Sequence, residues 1–348
     1  MTAYSQTSPV TVLVTGATGF TGSHTLKALQ ELEGVHLIAA CRTPTALPAT
    51  FTGEVRAGDL SDADYRRRAL RGVDVVVHCA AWTAAWGHAK QSRQHFLNPT
   101  LAWIEDVAAA GVKRFVNISS TAVAAPGGAT DAMSHPAPLP HFPHMDNVRR
   151  IEETLRTRSQ SGLDVVNLRL GFFVGADYGL GILPMLLPRL KTHLVPWVAG
   201  GRTHLPLIDG RDIGRALALA ASTPGLSGYR SYNVIGAENP TVRDVIEHLG
   251  TRYGYPTPHF SVPFWAAYVF AWLMEMIDPV VPWEPLVTRS IIQFLELQTI
   301  DNSAFHAATG YVAEHDWRDS IKLQVAEMAE RQTKPMSMIK PLPKPQTE

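Results

Sequence analysis

The sequence has little of what marks a disulfide-stabilised, nucleic-acid-binding or membrane-spanning protein. Its 348 residues include two cysteines, too few for a disulfide framework and without metal-ligand spacing, which favours a reducing cytoplasm. Lys+Arg and Asp+Glu both number 31, so the net charge is zero and no basic surface for nucleic acid is expected. The apolar run in its most aromatic region, residues 262–274, is shorter than the roughly 20 residues that cross a bilayer. A small neutral or lipophilic partner is favoured.

The two ends of the chain lack the patterns of folded structure. The first ten residues have no basic region followed by an apolar run, as a signal peptide would, and predict a short frayed leader. Residues 331–348 are rich in Pro and Lys and predict a flexible tail. Between them we expect one compact unit with a nucleotide-binding domain over 1–175 and a smaller substrate-binding lobe over 176–330. Residues 229–246 are expected to return to the sheet of the first domain.

A glycine-rich turn near the N-terminus follows a β-branched strand, VTVLVT, and opens an amphipathic helix. Gly16, Gly19 and Gly22 would serve as a tight turn, as room for a pyrophosphate and as close packing of helix on strand. The positive end of the helix then faces the phosphates. The sequence therefore predicts that this turn, including Thr18 and Phe20, binds a dinucleotide.

The end of the second predicted strand, VHLIAACR, bears on which nicotinamide dinucleotide is bound. An acidic residue there would bind a ribose 2′-hydroxyl, whereas an arginine would receive a 2′-phosphate. The chain offers Cys41 and Arg42, with no acid between Glu33 and Glu54. NADP(H) is therefore favoured over NAD(H). The alternative is that Arg42 is a solvated loop residue.

Two further strand ends carry residues suited to a nucleotide site. VRAGDLSD places Asp59 and Leu60 where an adenine could be held, and VDVVVHCAAW places Ala80 and Ala81 after a buried strand. Strands alternate with helical stretches, which predicts a parallel sheet with right-handed crossovers. The expected fold class is α/β, a Rossmann-type doubly wound sheet with a smaller C-terminal lobe.

Six motifs in this order resemble the extended short-chain dehydrogenase/reductase family, in the branch that contains 3β-hydroxysteroid dehydrogenases and nucleotide-sugar epimerases. The motifs are TGATGFTG (15–22), GDL (58–60), HCAA (78–81), GVKRFVNISS (111–120), GLDVVNLRLGFFVG (162–175) and YNVIGAENPTVRDVI (232–246). The resemblance covers nearly the whole chain up to about residue 325. It implies an oxidoreductase that uses a nicotinamide dinucleotide.

The resemblance also implies catalytic positions. A Ser or Thr after the fifth strand would hydrogen-bond the reacting oxygen, and Ser120 matches it best, with Ser119 and Thr121 as alternatives. Asn98 matches an asparagine that shapes a proton path in the family. The competing interpretation is that Asn98, which precedes Pro99, only caps or kinks a helix start.

The family's Tyr-x-x-x-Lys pair is missing from residues 141–155, HFPHMDNVRRIEETL. In the register set by IEETL, the tyrosine position falls on His144 and the lysine position on Val148, and no tyrosine in the chain precedes a lysine by four residues. An imidazole with a pKa near 6.5 can exchange a proton at neutral pH without a lysine. We therefore predict that His144 replaces the tyrosine, with helix capping or substrate contact as alternatives. Val148 is predicted to pack.

Aromatic side chains cluster where a substrate is expected. The predicted substrate contacts are Trp82, Thr83, Trp86, His141 and Phe172. For Phe172, core packing is an equal alternative. Residues 261–283 form an aromatic segment that predicts a lid or lobe helix over a lipophilic substrate, with peripheral membrane contact as a further alternative.

The leading hypothesis is an NADP(H)-dependent oxidoreductase acting on a carbonyl or secondary alcohol of a bulky hydrophobic molecule, sterol-like or polyketide-like. A second hypothesis keeps the fold for a non-redox isomerase, cyclase or lyase, with the nucleotide structural or absent. A third is a catalytically inactive NADP(H) sensor. The sequence leaves assembly as a homodimer open.

Overall fold

The computed structural model describes residues 9–83, 87–124, 131–278, 285, 287–295 and 300–333. Its strands are β1 (Val10–Thr15), β2 (Val35–Cys41), β3 (Glu54–Ala57), β4 (Val75–His78), β5 (Arg114–Ser120), β6 (Asp164–Leu170), β7 (Phe172–Val174), β8 (Trp197–Val198), β9 (Leu207–Asp209), β10 (Tyr229–Val234) and β11 (Ser261–Val262). Its helices are α1 (Phe20–Gln30), α2 (Ala63–Ala69), α3 (Ala89–Ser92), α4 (Asn98–Ala109), α5 (Pro143–Ser159), α6 (Ile182–Leu190), α7 (Gly210–Ser222), α8 (Val242–Tyr253), α9 (Phe264–Ile277), α10 (Arg289–Phe294), α11 (Ser303–Thr309) and α12 (Trp317–Thr333). A π-helical turn over Arg93–Leu97 joins α3 to α4.

The described strands form a seven-stranded parallel sheet in the order β10-β6-β5-β4-β1-β2-β3, which confirms the predicted Rossmann-type fold. After the lobe, the chain returns to this sheet where β10 pairs with β6. The strand order reverses between β1 and β4, and Thr15 pairs with both Ala40 and His78 there. Ligands of open parallel sheets bind at the carboxyl ends of the strands beside such a reversal.

Helices cover both faces of the sheet because the strands are apolar on both sides. On one face α1 packs closely against α7, and this contact depends on glycine: a Cβ added at Gly214 would lie 2.4 Å from the carbonyl oxygen of His24. On the other face α5 contributes a buried stripe of Val148, Ile151 and Leu155 to a second core. The predicted packing role of Val148 is thus confirmed.

The smaller lobe contains two short parallel pairs, β7 with β9 and β8 with β11, packed with α6, α8 and α12. Helix α12 continues to Thr333, past Arg331, where the sequence predicts a tail. It does so because Val325 and Met328 still pack on the lobe core. Residues 1–8 and 334–348, which include most of the predicted leader and tail, lie outside the described residues. Among the described helices, none has the length and hydropathy needed to cross a bilayer.

Candidate active site

The glycine turn lies where the strand order reverses, and two of its positions have no room for a side chain. Gly16 has φ +61°, and a Cβ added there would lie 2.6 Å from the amide nitrogen of Ala80. A Cβ at Gly22 would lie 2.2 Å from the carbonyl oxygen of Gly16. Gly16 therefore lets the turn after β1 touch the segment after β4, and Gly22 lets α1 sit on the turn. These contacts bring two stretches that the sequence assigns to the cofactor into one place.

The N-terminus of α1 suits an anionic ligand. Its cap is Gly19, no side chain caps it, and its first turn holds no acidic residue. Its first backbone N–H groups are therefore not taken by a side-chain oxygen, which is the arrangement that binds pyrophosphate at a helix start. Thr18 and Gly19 also line a cavity of about 420 Å³ on the outer side of α1, together with Lys27 and Phe51. The residues present fit a dinucleotide.

Side chains beneath the turn hold the two strand ends together. The hydroxyl of Thr15 lies 2.8 Å from Nδ1 of His78 and accepts a 3.3 Å hydrogen bond from the amide of Ala80. Burial lowers the pKa of His78 to about 4, so its ring is neutral at pH 7. Ala81 follows as an exposed residue at the mouth of the site. Sequence reasoning missed Thr15 and His78, although a histidine ending a buried strand was a signal.

Arg42 lies just beyond β2 with its side chain 80% exposed, and its Nη1 is 3.9 Å from Oδ2 of Asp59. Asp59 accepts a hydrogen bond from the backbone N–H of Ser61, which, with the charge of Arg42, lowers its pKa. Leu60 is half-buried and packs against the core beside α2. The guanidinium of Arg42 thus stands in solvent at the edge where the ribose of a dinucleotide is expected.

Phe20 begins helix α1 and lines the same cavity as Thr18 and Gly19. The ring packs 4.5 Å from that of Tyr178 and 6.1 Å from that of Phe173, measured between centroids. His24 completes this group at 5.0 Å. Phe20 therefore joins the glycine turn to the segments that follow β6.

The three predicted alternatives after β5 have different environments. The hydroxyl of Ser119 donates to Oε1 of Glu152 at 2.5 Å inside the core. Ser120 is half-buried, and its oxygen accepts only one described hydrogen bond, from the amide of Ala122 at 3.2 Å. Thr121 is buried. Ser120 is therefore the residue at the end of β5 whose hydroxyl group is partly exposed and still has its proton to donate.

A buried polar network, which sequence reasoning missed, fixes α5 on the sheet. Glu152 pairs with Arg169 through hydrogen bonds of 3.0 and 2.7 Å, and both side chains are almost fully buried. Asn167 donates to the same carboxylate at 3.0 Å. The network joins α5 to β5 and β6 and sets where the first turn of α5 lies. Its sequence signal was the asparagine and the arginine within the strand DVVNLRL.

His144 lies in that first turn and is buried. Its Nδ1 is 3.4 Å from the hydroxyl oxygen of Ser92, which also accepts a 3.0 Å hydrogen bond from Nδ2 of Asn147. Burial lowers the pKa of His144 to about 4, below the ordinary imidazole value near 6.5, so its ring is neutral at pH 7. The cap of α5 is Phe142, and no side chain caps the helix, so His144 does not cap it.

The aromatic surroundings connect His144 to the strand end after β4. The ring of Phe96 lies 5.0 Å from that of His144, and the ring of half-buried Trp82 lies 6.5 Å from it. Asn98 is exposed and continues the helix that the π-helical turn begins, so it does not cap a helix start. Such turns within helices are frequent at functional sites.

The remaining predicted substrate residues divide into exposed and packed groups. Thr83 and His141 are exposed. Phe172 is half-buried, with its ring 5.2 Å from that of Phe294, which is also 5.2 Å from the ring of Phe142. Phe294 was missed because it follows the aromatic segment in a stretch without a clear pattern. Trp86 lies outside the described residues.

The sequence profile described as the NAD dependent epimerase/dehydratase family matches residues 12–234, more than half of the chain. The chain belongs to this family. The predicted resemblance is confirmed, and this epimerase/dehydratase-family protein is an extended, oxidoreductase-type member of the short-chain dehydrogenase/reductases.

Two relatives and one solved structure illustrate the similarity. The family member is 26% identical over 293 residues to a 4-hydroxy-2-methyl-3-oxo-4-farnesyl-3,4-dihydroquinoline-1-oxide ketoreductase of Stigmatella aurantiaca, covering 82% of this chain and 84% of that one. It is 29% identical over 267 residues to sterol demethylase protein B of Methylococcus capsulatus, covering 73% and 78%. UDP-glucuronic acid 4-epimerase from Bacillus cereus, solved with NAD, shares the fold with a TM-score of 0.68 and 18% identity over 92% and 99% of the two chains.

Proposed function

We propose that this protein is an NADP(H)-dependent oxidoreductase that interconverts a carbonyl and a secondary alcohol on a bulky hydrophobic molecule. The observation that carries the proposal is the contact of Gly16 with the segment before Trp82. This contact places the N-terminus of α1, which no side chain caps and which suits pyrophosphate, at one edge of the sheet. The rings of Trp82 and His144 lie beside it. Cofactor and apolar substrate would meet at that edge.

The cofactor would be held mainly by backbone groups. The turn 16–22 would bind the pyrophosphate, and Ala80 and Ala81 would border the cofactor on the adjacent strand end. Arg42 favours NADP(H), because its exposed guanidinium can pair with a 2′-phosphate. Asp59 would lie beside the adenosine moiety. When bound, NADP(H) supplies or accepts the hydride.

The proposal of a lipophilic substrate rests on the residues that line the site and on the names of two relatives. Trp82 lies at the mouth of the site, while Phe172, Phe142 and Phe294 form an aromatic group at the junction with the lobe. The names of the two relatives given above contain a farnesyl dihydroquinoline oxide and a sterol. Thr83 and His141 would add polar contacts at the exposed rim.

A neutral His144 would act as a hydrogen-bond donor rather than as an imidazolium acid. Ser92 accepts from Asn147, so its own hydroxyl proton can be donated to Nδ1 of His144. This leaves the proton of the ring on Nε2, where it can polarise a carbonyl oxygen. Ser120 would donate a second hydrogen bond to that oxygen. In reduction, the proton that completes the alcohol would come from a water molecule, and in oxidation it would return to water. Asn98 is assigned no direct contact.

Calorimetric titration with NADPH, NADP⁺, NADH and NAD⁺ tests the cofactor first. NADPH oxidation with sterol-like and polyketide-like ketones then tests the reaction, with Ser120→Ala expected to lower kcat and leave the cofactor Kd unchanged. Conversion of a substrate with no change in cofactor oxidation state would instead indicate an isomerase, cyclase or lyase. Binding of NADPH without turnover of any ketone in the panel would indicate a sensor.

A further inference from the structure

Helix α9 carries its large apolar side chains on the outside and its small ones on the inside. Its buried positions are Ala267, Ala271 and Glu275, spaced four residues apart on one face. Its exposed positions on the opposite face are Trp265, Val269, Phe270, Trp272, Leu273, Met276 and Ile277. Trp265 is 70% exposed. A surface helix normally shows the reverse distribution, so this face is built for contact with something apolar.

Two further exposed apolar side chains lie on the segments before β8 and β11. Strand β11 directly precedes α9 and pairs with β8, and the amide of Trp197 donates to the carbonyl of Phe260. This brings the segment before β8, with Leu194 74% exposed, beside exposed Phe260. The rings of His193 and His259 stack at 5.9 Å and join the two segments. We call the exposed positions of α9 the α9 face.

The α9 face bears no charged side chain among the described residues. The one carboxylate within α9, that of Glu275, points inward and receives hydrogen bonds from the backbone and Nε of Arg289 at 2.6 and 2.5 Å. The face therefore has neither a cation for anionic headgroups nor an acid that would repel them. Because the face carries no charge, it suits an uncharged apolar medium.

We propose that the α9 face inserts into the interfacial region of a lipid bilayer, with α9 lying parallel to the membrane plane. The helix has 14 residues and is about 21 Å long, too short to cross the hydrocarbon core but suited to lie within the interface. The indoles of Trp265 and Trp272 offer an apolar body and a single N–H donor, which suits this region. This inference does not depend on the proposed function.

A second copy of the chain is the alternative occupant and fits less well. A protein interface of ordinary size carries about ten direct hydrogen bonds and a polar rim. The α9 face offers only the two indole N–H groups as side-chain donors and no side-chain oxygen. A lipid surface needs no such partners, because its acyl chains bind by apolar contact alone.

Flotation of the full-length protein with phosphatidylcholine vesicles tests the proposal. The variant Val269→Ser/Leu273→Ser removes two side chains that are 46% and 47% exposed on α9. Its matched control is Val312→Ser/Leu323→Ser, which removes a valine and a leucine that are 54% and 42% exposed elsewhere. Thermal melting and circular dichroism establish that both variants are folded.

The proposal predicts that wild-type protein and the control float with neutral vesicles at any salt concentration. The α9 variant should partition at least about tenfold less, because two buried apolar contacts are lost. Absence of wild-type flotation, equal flotation of the α9 variant, or flotation only with phosphatidylglycerol at low salt would each overturn it. A wild-type dimer that the α9 variant dissociates, without vesicle binding, would assign the face to a second copy. A failed cofactor titration would leave the flotation result unaffected.

Discussion

The hydroxyl oxygen of Ser92 lies 3.4 Å from Nδ1 of His144 at the position where the family pattern has a tyrosine. Ser92 also accepts a 3.0 Å hydrogen bond from Asn147, so its own hydroxyl proton is available for donation to the imidazole. The ring is buried and its pKa is lowered to about 4, so it remains neutral at pH 7. If His144 acts as proposed, a neutral imidazole held in one tautomer would need no lysine beside it, which would account for the joint absence of tyrosine and lysine.

Replacement of His144 and of Ser92 should therefore have graded effects on turnover. We expect His144→Phe to lower kcat by about 100-fold or more, since it removes the donor. Ser92→Ala should lower kcat by about tenfold, because the ring loses its fixed tautomer. Neither should change the Kd of NADPH, and Ser222→Ala, a serine at the end of α7, serves as the control. A His144→Phe enzyme with wild-type kcat would remove His144 from the mechanism.

The second prediction concerns the choice of cofactor at Arg42. Arg42→Ala should weaken NADPH binding by about 10- to 100-fold, the value of a charge-assisted contact to phosphate, and leave NADH binding unchanged. Titration calorimetry measures both constants. Arg252→Ala, a change at another exposed arginine, should affect neither. Equal losses for NADPH and NADH would show that Arg42 does not discriminate between them.

The sheet and the glycine turn could be predicted because their signals are local. A β-branched strand, three spaced glycines and an amphipathic helix stand together in 10–30, and each depends only on neighbours in sequence. The Ser92–His144 contact spans 52 residues, and the Glu152–Arg169 pair spans 17. Such contacts, and the burial that shifts the pKa of His144, arise only when α3, α5 and β6 pack together.

Helix α9 is a second case in which the sequence predicts an element but not which of its residues face outward. Its composition is apolar all round, which in sequence favours a lid or core helix over a substrate. Which residues face outward depends on how α10 covers the side bearing Ala267 and Ala271. The sequence thus predicts a helix here, whereas the exposure of Trp265 and Met276 follows from tertiary packing alone.

The third prediction concerns the stability that the buried pair of Glu152 and Arg169 confers. Glu152→Ala should lower the free energy of unfolding by about 3–5 kcal/mol, because it leaves a buried guanidinium without its carboxylate. Glu152→Leu/Arg169→Met should cost less than the sum of the two single changes. Denaturant unfolding measures four variants: Glu152→Ala, the single changes Glu152→Leu and Arg169→Met, and the double variant.

A solvent-exposed pair provides the comparison. Arg158 and Glu105 form an ion pair at 2.5 Å with both side chains more than one third exposed. Arg158→Ala should lower the free energy of unfolding by less than about 1 kcal/mol. If Glu152→Ala cost no more than Arg158→Ala, the network would not be what fixes α5 on the sheet.

The fourth prediction is a loss of stability in mild acid. The folded-state pKa of His144 and of His78 is about 4 in each case, because burial disfavours the imidazolium, whereas the unfolded value is near 6.5. Between these values the unfolded chain binds more protons, so the free energy of unfolding falls as pH falls from 6.5 towards 4. Each histidine contributes a slope of at most about 1.4 kcal/mol per pH unit.

His144→Phe isolates one of these two contributions. The variant lacks the imidazole in both the folded and the unfolded state, so its free energy of unfolding should fall less steeply with acid than that of the wild type. The difference between the two slopes should be at most about 1.4 kcal/mol per pH unit, the value for one proton. Absolute stability also changes, since Ser92 loses a partner, but the slope between pH 4.5 and about 6.5 reports only the titration. Denaturant midpoints at several pH values give both slopes. Parallel curves for the two proteins would mean that His144 binds a proton as readily in the folded state as in the unfolded one, and is therefore open to solvent.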